Sequence, residues 1–537
     1  MLSFKTVKTD VLVIGAGIAG LRAAVAAAGR GKKVIVASKG PRCSYGIMGF
    51  NAAVDREDSQ ALYYDDILKS GLGLSDHQLA ALLAQGATKQ KDFLEHSGLC
   101  FDKTADGRYD LLQPLGCSRP RLVHAGRFTG SESEKLFLEM LQKAGADVSF
   151  DTTVIDLLSD GDTVYGALAI RGSEGLCFTA KATVLATGGC GDIYPVTTYP
   201  AGIEGDGYAI LARAGGELID MEMLQFEPCC FAEPESLKGR GISTTMLNAG
   251  AKLRNAEGEE FLPKYFADPR TIQKGSLSRA MFSEIARCGG RPVLYDLSAI
   301  APEELEMHCL WTKEIKQAGI DLSTTPLKVC PAAHTFLGGA RVDAQCATSL
   351  QGLFAAGEAL GGLHGANRIG GCAGAETFVM GAIAGDAAAE YCECAAALDS
   401  AKAEQLKAAL EKEYHAQGQG ELSSLAELRA QVRAAANAGL SIIRDEAGIA
   451  AAAHSVRAVA AKVRETGWRT GEELIQILSV RNMALVADLI ALASYTRRES
   501  RGVFFRSDYP ESRKDMEKNL VIRWHPEGTK ISWGVKE

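Results

Sequence analysis

Asp10 to Ile14 is a run of β-formers that leads directly into Gly15, Ala16, Gly17, Ile18, Ala19 and Gly20. An alanine-rich helical pattern then extends to Gly29, and a second strand pattern covers Lys33 to Ala37. Strand, glycines, helix and strand stand in the register of a dinucleotide-binding βαβ unit, and no other stretch restricts the fold as much. Gly15 permits the tight turn, and Gly17 lets backbone N–H groups approach a pyrophosphate where Ile18 and Ala19 open the helix. Gly20 allows close helix–strand packing, with the positive end of the helix dipole facing the phosphates. The second strand ends in Ser38 and Lys39, where the generic pattern places an acid for the adenosine ribose.

Further cofactor-type segments lie far along the chain. Strand patterns at 163–171 and 181–187 are followed by Ala186, Thr187, Gly188 and Gly189, an ATGG turn typical of flavoproteins; Gly205, Asp206 and Gly207 then open a helix. Gly352 to Glu358 is again a strand ending at an acid, which would meet ribose or ribityl hydroxyls. Segments spread from 15 to 358 imply one nucleotide-binding domain interrupted by an insertion. From about 391 the composition shifts to Ala, Glu, Lys and Leu with helical periodicity, as in Ala401 to Tyr414 and Val480 to Thr496. The expected fold is α/β: a discontinuous Rossmann-like domain (1–220 plus 334–390), an inserted α+β capping domain (221–333) and a C-terminal helical domain with a tail (391–537).

At 537 residues the chain exceeds one hydrophobic core, so several folding units are expected. A net charge of -8 argues against nucleic acid as a partner. The 14 cysteines contain no CxxC pair and no ferredoxin-like cluster, which suggests thiols and no iron–sulfur centre in this chain. Neighbours such as Cys229 and Cys230 read as small buried hydrophobes. No metal site is expected. The amino terminus lacks the pattern of a signal peptide, and no run reaches the roughly 18 apolar residues of a membrane span. A cytoplasmic location follows as the expectation, with any membrane attachment through a partner.

Taken in order, IGAGIAGLRAA, SKG, ATGG, GDGYA, PAAHTFLGG, GLFAAGE, LHGANRIGG and RRESRG resemble the flavoprotein family of succinate dehydrogenase, fumarate reductase and L-aspartate oxidase, over nearly the whole chain. The resemblance implies FAD as cofactor. It implies that a hydride passes between flavin N5 and a carbon of a carboxylate substrate held by a His and an Arg, while a second Arg transfers the proton. His334 and Arg368 match the carboxylate-binding pair. A guanidinium fork suits a carboxylate on its own chemistry, and an imidazole beside it adds a directional donor.

Three departures alter the expected pocket. Where relatives have Gln, Tyr or Phe, His, Pro, this chain has Gln225, Phe226, Glu227 and Pro228, and an ionised Glu227 would repel the distal carboxylate of fumarate. The Thr-Glu pair that usually follows has no equivalent in GISTTMLNAGAKLRN. At the proton-donor position stands Lys274, whose pKa could fall toward neutrality near cations and suit general acid catalysis; Arg270 and Arg279 are alternative donors. The third departure is in the stretch where relatives attach FAD to a histidine, which holds Ser44, Tyr45 and Gly46. The first histidine is His77, so binding is expected to be noncovalent. His364 reads as support for the flavin loop, and His124 as structural or near the site.

The leading expectation is reduction of an activated C=C bond in an unsaturated carboxylate, or the reverse dehydrogenation. His334 and Arg368 would anchor the substrate, Lys274 would move the proton, and Glu227 would read a distal group that is neutral, donating or cationic. Rival readings are an L-aspartate oxidase-like amino-acid oxidase, a protein like the adenylylsulfate reductase flavoprotein, and an electron-transferring flavin subunit whose pocket is unused. With no second nucleotide fold or cluster, a separate iron–sulfur subunit is the expected electron partner.

Overall fold

The computed structural model describes residues 2–534 apart from 41–43, 115, 248, 268–271, 303–304, 306–308, 396–398 and 418–423. The first strand, β1 (Phe4–Ile14), starts earlier than its apolar run because Phe4 to Thr9 already pair with Gly175 to Ala180 of the strand beside it. After β1 come α1 (Ile18–Gly29) and β2 (Val34–Ala37). β1 lies between β2 and β3 (Glu174–Leu185), parallel to both, and its Val11 to Ile14 end is buried, as a strand covered on both faces requires. Asp147–Ser149 extends the sheet beyond β2, Val164–Arg171 and Thr152–Ser159 extend it beyond β3, and Leu353–Ala355 pairs parallel with Thr183 to Leu185. The carboxyl ends of β1, β2, β3 and the 353–355 strand therefore share one edge. This is where a doubly wound sheet binds its nucleotide.

Gly15, at φ +107°, shows why the motif needs glycine: a Cβ there would lie 2.2 Å from the Ala186 carbonyl. A Cβ on Gly20 would lie 1.9 Å from the Gly15 carbonyl, so Gly20→Ala must push α1 off the sheet. The expected result is protein purified without flavin, read from the ratio of flavin to protein absorbance. Full FAD occupancy in that variant would contradict this packing.

α2 (Asp206–Arg213) starts at Gly205 and leads to a second, antiparallel sheet. In it β4 (Leu224–Phe231) pairs with a long strand at 327–336, which pairs in turn with Val293–Asp296 and then Lys252–Arg254. α3 (Lys274–Arg287) packs on β4 and on that strand, β5 (Leu327–Phe336). Phe231, Leu253, Leu277, Met281, Tyr295 and Val329 belong to an apolar core separate from that of the first sheet. α4 (Cys372–Cys394) crosses back over α1 and β3.

Helices Leu425–Gly439, Glu446–Glu465 and α5 (Gly471–Thr496) stack together at the C-terminal end. α5 is long and apolar enough to cross a membrane by length and composition. However, 72% of its apolar window is buried inside the protein, where it serves as a core helix. The tail is not simply appended to this bundle: Leu520–Arg523 and Lys530–Trp533 join Glu217–Ile219 and Gly339–Ala340 in a third sheet.

Candidate active site and cofactor site

The sheet edge gathers the cofactor-type residues. Ala186 donates to the Ile14 carbonyl at 2.8 Å, which stacks the Ala186 to Gly189 turn on the Gly15 turn. Ser44 Oγ accepts from the Ile18 N–H at 2.8 Å. Gly17 supplies no side-chain cap, so the Ala19 and Gly20 N–H groups have no side-chain acceptor. A helix end left in this state fits a phosphate group. Glu358 accepts from Phe336 N–H at 2.8 Å and from the Tyr199 hydroxyl, and burial raises its carboxyl to about 7 against those donors.

Some of the expected cofactor contacts are turned elsewhere. Lys39 donates to Asp206, which also accepts from Asn482 of α5 at 2.7 Å, so both side chains are engaged with protein. Thr187 Oγ1 packs against Gly207. Ser38 is buried and bonds through its backbone to Ser149 and Thr152. These residues line the edge, and FAD would be held there chiefly by backbone N–H groups of the first glycine turn.

The second group of residues converges from β4, β5, α3 and the 363–371 loop. Gln225 and Glu227 are two apart on β4 and project to the same side. Gln225 brackets Arg368: its Oε1 accepts from Arg368 Nε at 3.1 Å, and its Nε2 donates to the Arg368 carbonyl at 3.1 Å. Both Arg368 Nη groups are left without a hydrogen-bond partner among the described residues, although the residue is only 7% exposed. A guanidinium fixed at Nε with its fork open has the geometry to take a carboxylate through two bonds.

Glu227 meets Lys274, the first residue of α3, in an ion pair through Oε2. The same oxygen lies 3.7 Å from His334 Nε2. This corrects two sequence-based expectations. The neighbour of Lys274 is a carboxylate, where cations were expected to act on it, and Glu227 is not an isolated anion facing the substrate. The cause is packing: α3 sits on β4, which sets its first turn over the Glu227 side chain. Burial pushes the Glu227 carboxyl up, but Lys274, His334 and Arg368 outweigh it and hold it below the usual range.

His334 Nδ1 lies 2.9 Å from Thr198 Oγ1, which fixes the ring. Burial, with smaller effects from Arg368 and Lys274, pushes its pKa down to about 3 against the pull of Glu227, so the imidazole is neutral at ordinary pH. If Thr198 donates to Nδ1, Nε2 carries the proton and faces the site as a donor. The unfolded chain takes up a proton near pH 6.5 that the folded chain refuses until about 3. Stability contributed by His334 is therefore present above about 6.5 and lost as the pH falls below it, by at most about 1.4 kcal/mol per unit. Thermal melts between about pH 4.5 and 7 should show a shallower acid slope in His334→Gln. An unchanged slope would mean that the ring is protonated in the fold.

The other candidates sit apart. Arg279 donates to the Gly502 carbonyl at 3.1 Å and stacks on Phe505, and Arg270 lies outside the described residues. Lys274 is thus the described donor candidate that reaches Glu227. His124 bonds Asp102 at 2.8 Å, and His364 bonds Glu376 at 3.0 Å beneath the loop that carries Arg368. Gln225, Thr198 and Tyr199 were not expected as site residues. Gln225 stands in the run that also holds Glu227, but nothing local gives any of the three its role, since their partners lie 136 to 159 positions away. Among the described residues no group of three His, Cys, Asp or Glu is placed to hold a metal ion.

A parallel-sheet edge with an open helix end, in one chain with a pocket lined by an open guanidinium, an imidazole and an ion pair, fits the class that the relatives share: an FAD-dependent oxidoreductase. The family model for an FAD binding domain matches residues 10–373, and that for the fumarate reductase flavoprotein C-terminus matches 429–533. The chain belongs to the succinate dehydrogenase and fumarate reductase flavoprotein family. It is 33% identical over 535 residues to a subunit of fumarate reductase (CoM/CoB) from Methanothermobacter marburgensis, covering 96% of each chain. It is 32% identical over 527 residues to L-aspartate oxidase of Mycobacterium tuberculosis, covering 96% of this chain and 95% of that one. Among solved structures, Mycobacterium smegmatis Sdh1 in complex with UQ1 superposes with a TM-score of 0.88 at 30% identity, covering 99% and 95%.

Proposed function

We propose that this flavoprotein reduces the C=C bond of an α,β-unsaturated carboxylate, or runs the reverse dehydrogenation, with FAD bound noncovalently under a cap formed by residues 221–333. The observation that carries this reading is the open fork of Arg368, held by Gln225 and set in one pocket with neutral His334 and the Glu227–Lys274 pair. FAD, when bound and reduced, would supply the hydride for one carbon of the double bond and would itself be reoxidised. Arg368 and His334 hold the carboxylate and draw electron density toward it. Lys274 delivers a proton to the other carbon and regains one from solvent, while the ionised Glu227 keeps Lys274 in place. One hydride and one proton convert C=C to CH–CH.

The relative in Methanothermobacter is named as a subunit, which supports a protein partner for this chain. A separate iron–sulfur protein in the cytoplasm would feed electrons to the flavin. The test is to reduce the flavin without oxygen, add unsaturated carboxylates, and identify the product. Reoxidation with formation of the saturated acid is expected. Flavin reduction by L-aspartate, with no response to any enoate, would favour the amino-acid oxidase reading instead.

A further inference from the structure

The distal end of the pocket is more selective than its sequence implied. Three ionised side chains meet there: Lys274 and Arg368 are cations and Glu227 is an anion, while His334 is neutral. Their balance matches one carboxylate, and Arg368 has the open fork for it. Lys274 already neutralises Glu227, so an ammonium group on the substrate would stand beside a second ammonium. A second carboxylate would face Glu227 with no hydrogen to offer it.

What remains is specific. Glu227 Oε1 has no hydrogen-bond partner among the described residues, so it can accept; Lys274 has two further N–H bonds to donate, and His334 Nε2 stands 3.7 Å from Oε2. An acceptor beside donors is the complement of a group that carries N–H and C=O together. Resting on the reading of this pocket as a C=C reductase site, we propose that the substrate is a monoanion whose distal end is a primary carboxamide. Its NH2 is read by Glu227 Oε1 and its carbonyl by Lys274, whose N–H bonds are not all spent on Glu227.

The oxidised holoprotein is titrated with three ligands, following the flavin absorbance: trans-4-amino-4-oxobut-2-enoate, its methyl half-ester analogue, and fumarate. The half-amide is expected to bind at least about tenfold more tightly than either, because a buried polar group left unpaired penalises the analogue that cannot reach it. In Glu227→Gln the lone cation Lys274 becomes free for a second carboxylate, and the preference should turn toward fumarate. Each ligand is then mixed with the reduced protein. Fumarate binding and reoxidising as well as the half-amide overturns the inference and leaves the reductase reading standing. Silence from all three overturns both.

Discussion

Lys274→Met should leave FAD bound and reducible while slowing single-turnover reoxidation by an enoate about 10²–10⁴-fold, the usual worth of a positioned proton donor. The loss falls on the chemical step because Lys274 pairs with Glu227 rather than with any cofactor-edge residue. Methionine keeps most of the volume but leaves the buried Glu227 carboxylate without its cation, so a second variant separates the two effects. Lys274→Met combined with Glu227→Gln removes the stranded charge, and it should recover stability in a thermal melt without recovering the rate. Recovery of the rate would show that Lys274 only holds Glu227, and the proton donor would have to be sought elsewhere in the pocket.

Arg497→Met is expected to cost about 3–5 kcal/mol, because it strands buried carboxylates that share one guanidinium. That guanidinium donates to Glu222 and, at 3.1 Å, to Glu499, with Asp220 at 3.4 Å, and all four side chains are at most 1% exposed. Arg501 holds Glu499 from the other side, and the adjoining Gly502 packs against the Ala366 backbone of the loop that carries Arg368. Arg497, Glu499 and Arg501 of the RRESRG segment thus form a buried clasp beneath the loop that carries Arg368. Burial and Glu222 already raise Asp220 to about 7 despite Arg497. Without Arg497 the Asp220 carboxyl rises further, so the folded variant binds a proton the unfolded chain lacks, and stability is lost as the pH rises above the usual carboxylate range. The deficit measured by melting should be larger at about pH 8 than at about pH 5. An equal deficit at both would mean that packing, not charge, is what Arg497 supplies.

How far the sequence could be read depended on how local each signal was. The Gly15 to Gly20 turn was legible because turn, helix start and flanking strands lie close together in the chain, and each residue type has a local reason. Glu227 and Lys274 were both singled out, but their pairing was not legible: they are 47 positions apart, and only the packing of α3 on β4 joins them. The lone anion expected at Glu227 therefore became one half of an ion pair, and the expected cationic surroundings of Lys274 became an anion. Gln225 and Arg368 both lie in segments that resemble the family, but the bracket between them spans 143 positions and their pairing has no sequence signal. The tail escaped for the same reason, since Val521 pairs with Ile219, far upstream in the chain.

Whether Arg368 holds the carboxylate of an unsaturated acid beside the reduced flavin is tested most directly by the rate of anaerobic flavin reoxidation as a function of enoate concentration, in the wild type and in Arg368→Lys. Lysine keeps the charge but loses the fork, which is worth about 1.5–3 kcal/mol for charge-assisted bonds. The wild type should saturate, and the variant should need about 10–100-fold more enoate to reach the same rate. Matching curves for the two proteins, or no reoxidation of the wild type by any unsaturated carboxylate, would contradict the account.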